Sequence, residues 1–134
     1  MTPAARTLTY LRRLGFVVDV CERWLPRVNR RRDLFGFADV LAVHARDRLF
    51  LLVQSTTAGH VAHRLQKAKG RPELLAWLKA GGGFEVHGWD KREGRWTCRR
   101  VAVRADDLAT VALTRPRRRK RKGERQPLLF APPS

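Results

Sequence analysis

The chain reads as an α/β domain in which a mixed central sheet is flanked by helices, with a basic tail behind it. Three observations lead there. Two mostly apolar runs, from Phe37 to Val43 and from Leu49 to Val53, have the charged turn Arg46-Asp47-Arg48 between them. They suit adjacent strands covered on both faces. Helical periodicity stands before and after this pair, and two further strand-like runs, Phe84 to Trp89 and Trp96 to Val103, complete the pattern.

In order, Thr2 caps a first helix with Pro3 in its first turn, Leu8, Leu11 and Leu14 form its apolar stripe, and Gly15 ends it. Arg6, Arg12 and Arg13 take the opposite side. Phe16 to Trp24, rich in Val and aromatics, predicts a strand closed by Pro26, with Glu22 near its end. Residues 27 to 32 predict a basic loop that feeds Asp33 and the central strands. After Thr56 comes a helix capped by Thr57, running to about Lys69 and stopped by Gly70. Its Val61 and Leu65 face inward, while His60, Arg64 and Lys67 form a basic stripe. Pro72 opens a short core helix that Gly81-Gly82-Gly83 ends, and the last two strands form a hairpin around Glu93-Gly94. Asp106 to Leu113 is a weaker segment of one or two helical turns. Trp24, Trp77, Trp89 and Trp96 are core candidates, although Trp89 or Trp96 could stack on an exposed base. Cys21 and Cys98 lack metal-type spacing and read as half-buried strand residues.

At 134 residues the sequence divides into one domain, 1–114, and a tail, 115–134. The formal net charge of +17 points to a polyanionic partner, nucleic acid or an anionic membrane surface. The tail carries eight Lys or Arg against one Glu, so the body alone remains at +10. No basic segment has a large apolar face, no run reaches spanning length, and no signal pattern opens the chain. The expectation is a cytoplasmic protein without membrane attachment. The run from Arg115 cannot bury apolar surface and is expected to be disordered. Arg30, Arg31, Arg32, His60, Arg64, Lys67, Arg117, Arg118, Arg119 and Lys120 are the candidate nucleic-acid contacts.

The central strands carry an unusual polar site. Asp39 shares a face with Phe37 and Leu41, and Gln54 and Thr56 share a face of the next strand. An acid in an apolar run is costly unless it is paired or holds a cation. With Gly36-Phe37-Ala38-Asp39 followed by Gln54-Ser55-Thr56, this resembles the PD-(D/E)XK nuclease superfamily, including its Holliday-junction-resolvase-like and restriction-endonuclease-like members. That superfamily places an Asp on one strand and Glu-x-Lys on the next. Only the Asp is retained.

The resemblance implies a magnesium- or manganese-dependent endonuclease acting on DNA in repair, recombination or phage DNA processing. Asp39, Gln54, Thr56 and Lys67 would take the catalytic positions, and Asp39, Glu22, Gln54 and Asp33 would be the metal-ligand candidates. Gln54 offers a neutral amide oxygen in place of Glu, and Glu22 or Asp33 is the available extra acid. Asp33 lies about 20 Å from Asp39 along an extended chain unless the Gly36 region bends. Thr56 brings no charge where the Lys is expected, so Lys67 or Lys69 of the following helix would have to reach over it. A nuclease-like fold that binds DNA without cutting is the rival reading, and RNA binding a third.

The terminal Gln126-Pro127-Leu128-Leu129-Phe130 is similar to the short peptides by which bacterial polymerases and repair proteins hold the sliding clamp. Gln126, Leu129 and Phe130 would take the anchoring parts. A homodimer is compatible with the sequence and not indicated by it.

Overall fold

A computed structural model describes residues 1–108. The basic tail with Arg117, Arg118, Arg119 and Lys120, and the terminal Gln126, Leu129 and Phe130, lie outside the described residues. The first helix, α1 (Pro3–Arg13), is capped as expected, with the Ala5 N–H donating to Thr2 Oγ1 at 3.2 Å. Strand β1 (Val17–Val20) follows. The single strand expected from Phe16 to Trp24 is divided: the Cys21 N–H still bonds the Asp39 carbonyl as the last rung, and Arg23–Leu25 belongs to a separate strand.

The chain then leaves the main sheet. The segment expected to be a basic loop is half of a small hairpin, β2 (Arg23–Leu25) with β3 (Arg30–Arg32), whose turn uses Asn29 at φ 50°. Periodicity could not reveal it, since Arg30, Arg31 and Arg32 offer no alternation of apolar and polar residues.

The five-stranded sheet has the order β1, β4 (Val40–His44), β5 (Leu49–Thr57), β6 (Gly83–Arg92), β7 (Arg95–Val103). Only β5 and β6 run parallel. Their crossover comprises a 3₁₀ turn (Ala58–His60), α2 (Val61–Lys69) and α3 (Pro72–Lys79). Thr57 does not cap the helix itself; its Oγ1 pairs with His60 Nδ1 at 2.7 Å ahead of the 3₁₀ turn. β5 also runs four residues past Val53, which makes Gln54, Ser55 and Thr56 interior strand positions.

Two apolar layers sandwich the sheet. On one face Leu11 of α1 packs with Val40, Ala42, Leu51 and Val53. On the other, Val61, Ala68 and Leu74 of the crossover helices pack with Leu52, Phe84 and Val86. Gly88 permits that contact, because a Cβ there would stand 2.3 Å from Val61 Cγ2. The tryptophans divide. Trp89 is buried, but Trp24 and Trp96 are 51 % and 45 % exposed, and Arg6 lies 3.6 Å over the Trp96 ring. Among the described residues no helix is long and apolar enough to cross a membrane.

Candidate functional site

The polar site forms just beyond the Val40–Val53 rung of the β4–β5 ladder. Asp39 donates its N–H to the Val53 carbonyl and accepts the Cys21 N–H on its own carbonyl, both at 2.9 Å. This fixes its backbone between β1 and β5, so its side chain, 5 % exposed, is aimed by the sheet. The carboxylate accepts the Ser55 backbone N–H, at 3.1 Å to Oδ1 and 3.2 Å to Oδ2.

Asp33 reaches the same place by a reversal of the chain. Phe35 and Gly36 have φ of 55° and 81°, and the Leu34 N–H meets the Ala38 carbonyl at 2.7 Å. Two successive residues in the left-handed region fold the segment back on itself. The strand expected from Phe37 therefore begins only at Val40. Arg71, between α2 and α3, clamps this turn by donating Nε to the Phe35 carbonyl at 3.0 Å. Its guanidinium would lie 3.2 Å from a Cβ on Gly36, so a side chain there would be strained and crowded at once.

Gln54 stands between the two acids. One end of its amide lies 3.0 Å from Asp33 Oδ2 and 2.7 Å from the Phe37 carbonyl; the other lies 3.3 Å from Asp39 Oδ2 and 3.4 Å from the Ser55 carbonyl. All four neighbours are acceptors, and the amide has donors at only one end. Placing the NH₂ on the closer pair leaves Gln54 Oε1 against Asp39 Oδ2. A proton or a cation is what such a contact calls for.

The electrostatics agree. Burial, with the neighbouring charges of Asp33 and Glu22, pushes Asp39 up to about 7 against the opposing Ser55 hydrogen bond. Burial and the nearby Asp39 likewise push the Cys21 thiol up to about 11, which keeps it protonated and unreactive at neutral pH. Glu22 is partly neutralised by Arg31, whose Nε lies 3.5 Å from its Oε1.

These groups line one cavity of about 640 Å³. Glu22, Asp33, Asp39 and Gln54 contribute its polar wall, while Arg30, Arg31, Arg32, Arg64, Lys67 and Arg71 contribute cations. Arg64 Nε is buried with no hydrogen-bond partner among the described residues. Thr56 is buried but does not line the cavity, and His60 is exposed and held by Thr57. Two contributors had no signal in the sequence. Ser55 acts through a backbone N–H, and Arg71 acts on a turn that only the fold brings to it.

Among the described residues no three His, Cys, Asp or Glu side chains come together as a metal-holding group. The nearest oxygen set is the Asp39 carboxylate with the Gln54 amide oxygen facing it, and the Asp33 carboxylate at the other end of that amide. It consists of oxygens only, with two carboxylates, which suits a small hard cation that keeps several of its waters.

A second polar cluster lies on the α1 face, where His87 is fully buried between Thr7 Oγ1, 3.3 Å from Nδ1, and Glu85 Oε1, 2.9 Å from Nε2. Arg100 holds Glu85 by two hydrogen bonds of 2.8 and 2.9 Å. Burial works to raise Glu85, yet the bonds from His87 and Arg100 prevail and hold it at about 2. Thr7, His87, Glu85 and Arg100 all have partners in this cluster, and it reads as a tie between α1 and the sheet. Comparison with known proteins finds no family model, no curated protein and no solved structure that matches the chain.

Proposed function

We propose that this protein binds DNA in the basic cavity and cuts it as a magnesium- or manganese-dependent endonuclease of the PD-(D/E)XK type. The observation that carries the reading is the convergence of Asp39, Asp33, Glu22 and Gln54 on one cavity that Arg30, Arg31, Arg32, Arg64 and Lys67 also line. Cations hold a phosphodiester against carboxylates that would otherwise repel it. Arg64 has a spare buried donor for a phosphate oxygen. Asp39 and Asp33, with the Gln54 amide oxygen, would hold the metal, which supplies charge for the scissile phosphate and an activated water. Ser55 N–H orients Asp39, and Lys67 is the lysine of α2 that lines the cavity, where Thr56 offers no cation.

The absence of a three-acid group among the described residues favours a second reading, a DNA grip that has lost its chemistry. Cleavage of labelled duplex, single-stranded and branched DNA in magnesium or manganese, wild type against Asp39→Ala, separates the two. Cutting that disappears in the variant supports the nuclease; salt-sensitive binding without cutting supports the grip; absence of DNA binding refutes both. Clamp recruitment through Gln126, Leu129 and Phe130 is a separate element of the proposal. Deleting residues 126–134 should abolish clamp binding and leave DNA affinity nearly unchanged.

A further inference from the structure

The β2–β3 hairpin has no place in the chemistry just described, yet both of its ends enter the site. Glu22 immediately precedes β2 and Asp33 immediately follows β3, and both line the cavity. Between them the hairpin carries Arg23, Arg27, Arg30, Arg31 and Arg32 and not one acid. Its apolar residues do not join either core layer, and Trp24 and Val28 are 51 % and 57 % exposed.

A two-stranded sheet cannot support itself on so few contacts, and an exposed indole on it is unexplained by packing. The register puts Trp24 directly opposite Arg31. Residues directly opposite in an antiparallel pair project to the same face. Arg31 pairs with Glu22, so the indole shares the ribbon face that meets Glu22, and it stands outside the residues that line the cavity. A ribbon of two strands fits the width of a DNA major groove, five guanidinium groups supply phosphate contacts, and an exposed indole offers a π-face to an unstacked base.

We infer that the β2–β3 hairpin is a DNA-engaging ribbon on which Trp24 stacks against an unpaired base, which makes duplex DNA interrupted by an unpaired nucleotide the preferred substrate of the cavity. The inference rests on the DNA reading above and deepens it. A fully stacked duplex has no free base face beside the scissile bond; a bulge, a mismatch or a branch point has one. Preference would then be set by an aromatic contact, and general affinity by the arginines.

The test uses the full chain in EDTA, so that no cutting is required. Binding is measured to a paired 30-mer duplex and to the same duplex with one unpaired adenine, for wild type, Trp24→Ala and Trp24→Phe. Wild type should favour the interrupted duplex by about tenfold, in line with one base stacked on an aromatic ring. Trp24→Ala should bind both duplexes like wild type binds the paired one, and Trp24→Phe should keep most of the preference. Because Trp24 is half exposed, circular dichroism of the variants should match wild type. Equal wild-type affinity for the two duplexes, or a preference that survives Trp24→Ala, overturns the ribbon inference and leaves the DNA reading intact. No binding to either duplex overturns the DNA reading itself.

Discussion

Asp33 and Asp39 approach a single Gln54 amide from its two ends, at 3.0 and 3.3 Å, although they belong to opposite sides of a chain reversal. Gln54 thus separates two carboxylates, one buried and one half-buried, that would otherwise repel each other. It does so with donors sufficient for only one of them.

Replacing this spacer by an acid gives the sharpest test of metal binding. Gln54→Glu places a third carboxylate between two others, and in EDTA the variant should lose about 2–4 kcal/mol, the cost of an unpaired buried charge. Magnesium should return much of that loss, because the third acid completes a hard-cation site. Thermal melts with and without magnesium check it; a melting point that falls in EDTA and fails to recover in magnesium counts against the site.

Asp39 gives a pH prediction of known sign. Its folded value of about 7 lies above the ordinary 3.8, so the native state binds the proton more tightly than the unfolded chain does. Stability from this group is fully present below about pH 4 and is lost as pH rises through 7. Asp39→Asn, fixed in the neutral form, should gain stability over wild type at pH 8, by at most ~4 kcal/mol, and match it near pH 4. Urea titrations at the two pH values would show it. A variant less stable than wild type at pH 8 would mean that the carboxylate is compensated there.

The arginines of the hairpin should appear in the salt dependence. Arg27→Ala and Arg30→Ala should each lower the magnitude of the slope of log affinity against log salt by about 1, without changing which duplex is preferred. Fluorescence anisotropy at several salt concentrations measures this. An unchanged slope would remove those residues from the phosphate contacts.

On the far face, Glu85 makes the opposite pH prediction. Its folded value of about 2 lies below the ordinary 4.5, so its contribution is present above pH 4.5 and fades as the pH falls toward 2. Arg100→Ala should cost about 1–2 kcal/mol at pH 7, modest because Arg100 is 36 % exposed, and much less near pH 2. Equal losses at both values would argue against charge as the source.

The central strands, the crossover helices and the closing hairpin were legible because each announces itself by local pattern. Leu11, Val61 and Leu74 fall on apolar faces that periodicity reveals, and Thr2, Gly70 and Pro72 mark boundaries by their backbone chemistry. Asp39 and Gln54 stood out as polar residues where apolar ones belong. The position of Asp33 was not legible, since it depends on Phe35, an ordinary residue, taking a left-handed conformation under the hold of Arg71. Nor was the exposure of Trp24, because a lone indole in an apolar run looks the same whether its neighbours cover it or not.

The long-range hydrogen bonds of Thr7 carry a kinetic consequence. Thr7 meets His87 and Trp89 from 80 and 82 residues away in sequence, whereas the β4–β5 and β6–β7 pairs are hairpins closed by short turns. Closing a loop of that length costs entropy before any contact repays it. The two hairpins are expected to form early and the docking of α1 to come late, beyond the top of the folding barrier. Substitution of Thr7 would then accelerate unfolding while leaving the refolding rate almost untouched, and the pocket acids, drawn from residues 22 to 39, would assemble before the amino-terminal helix seals the opposite face.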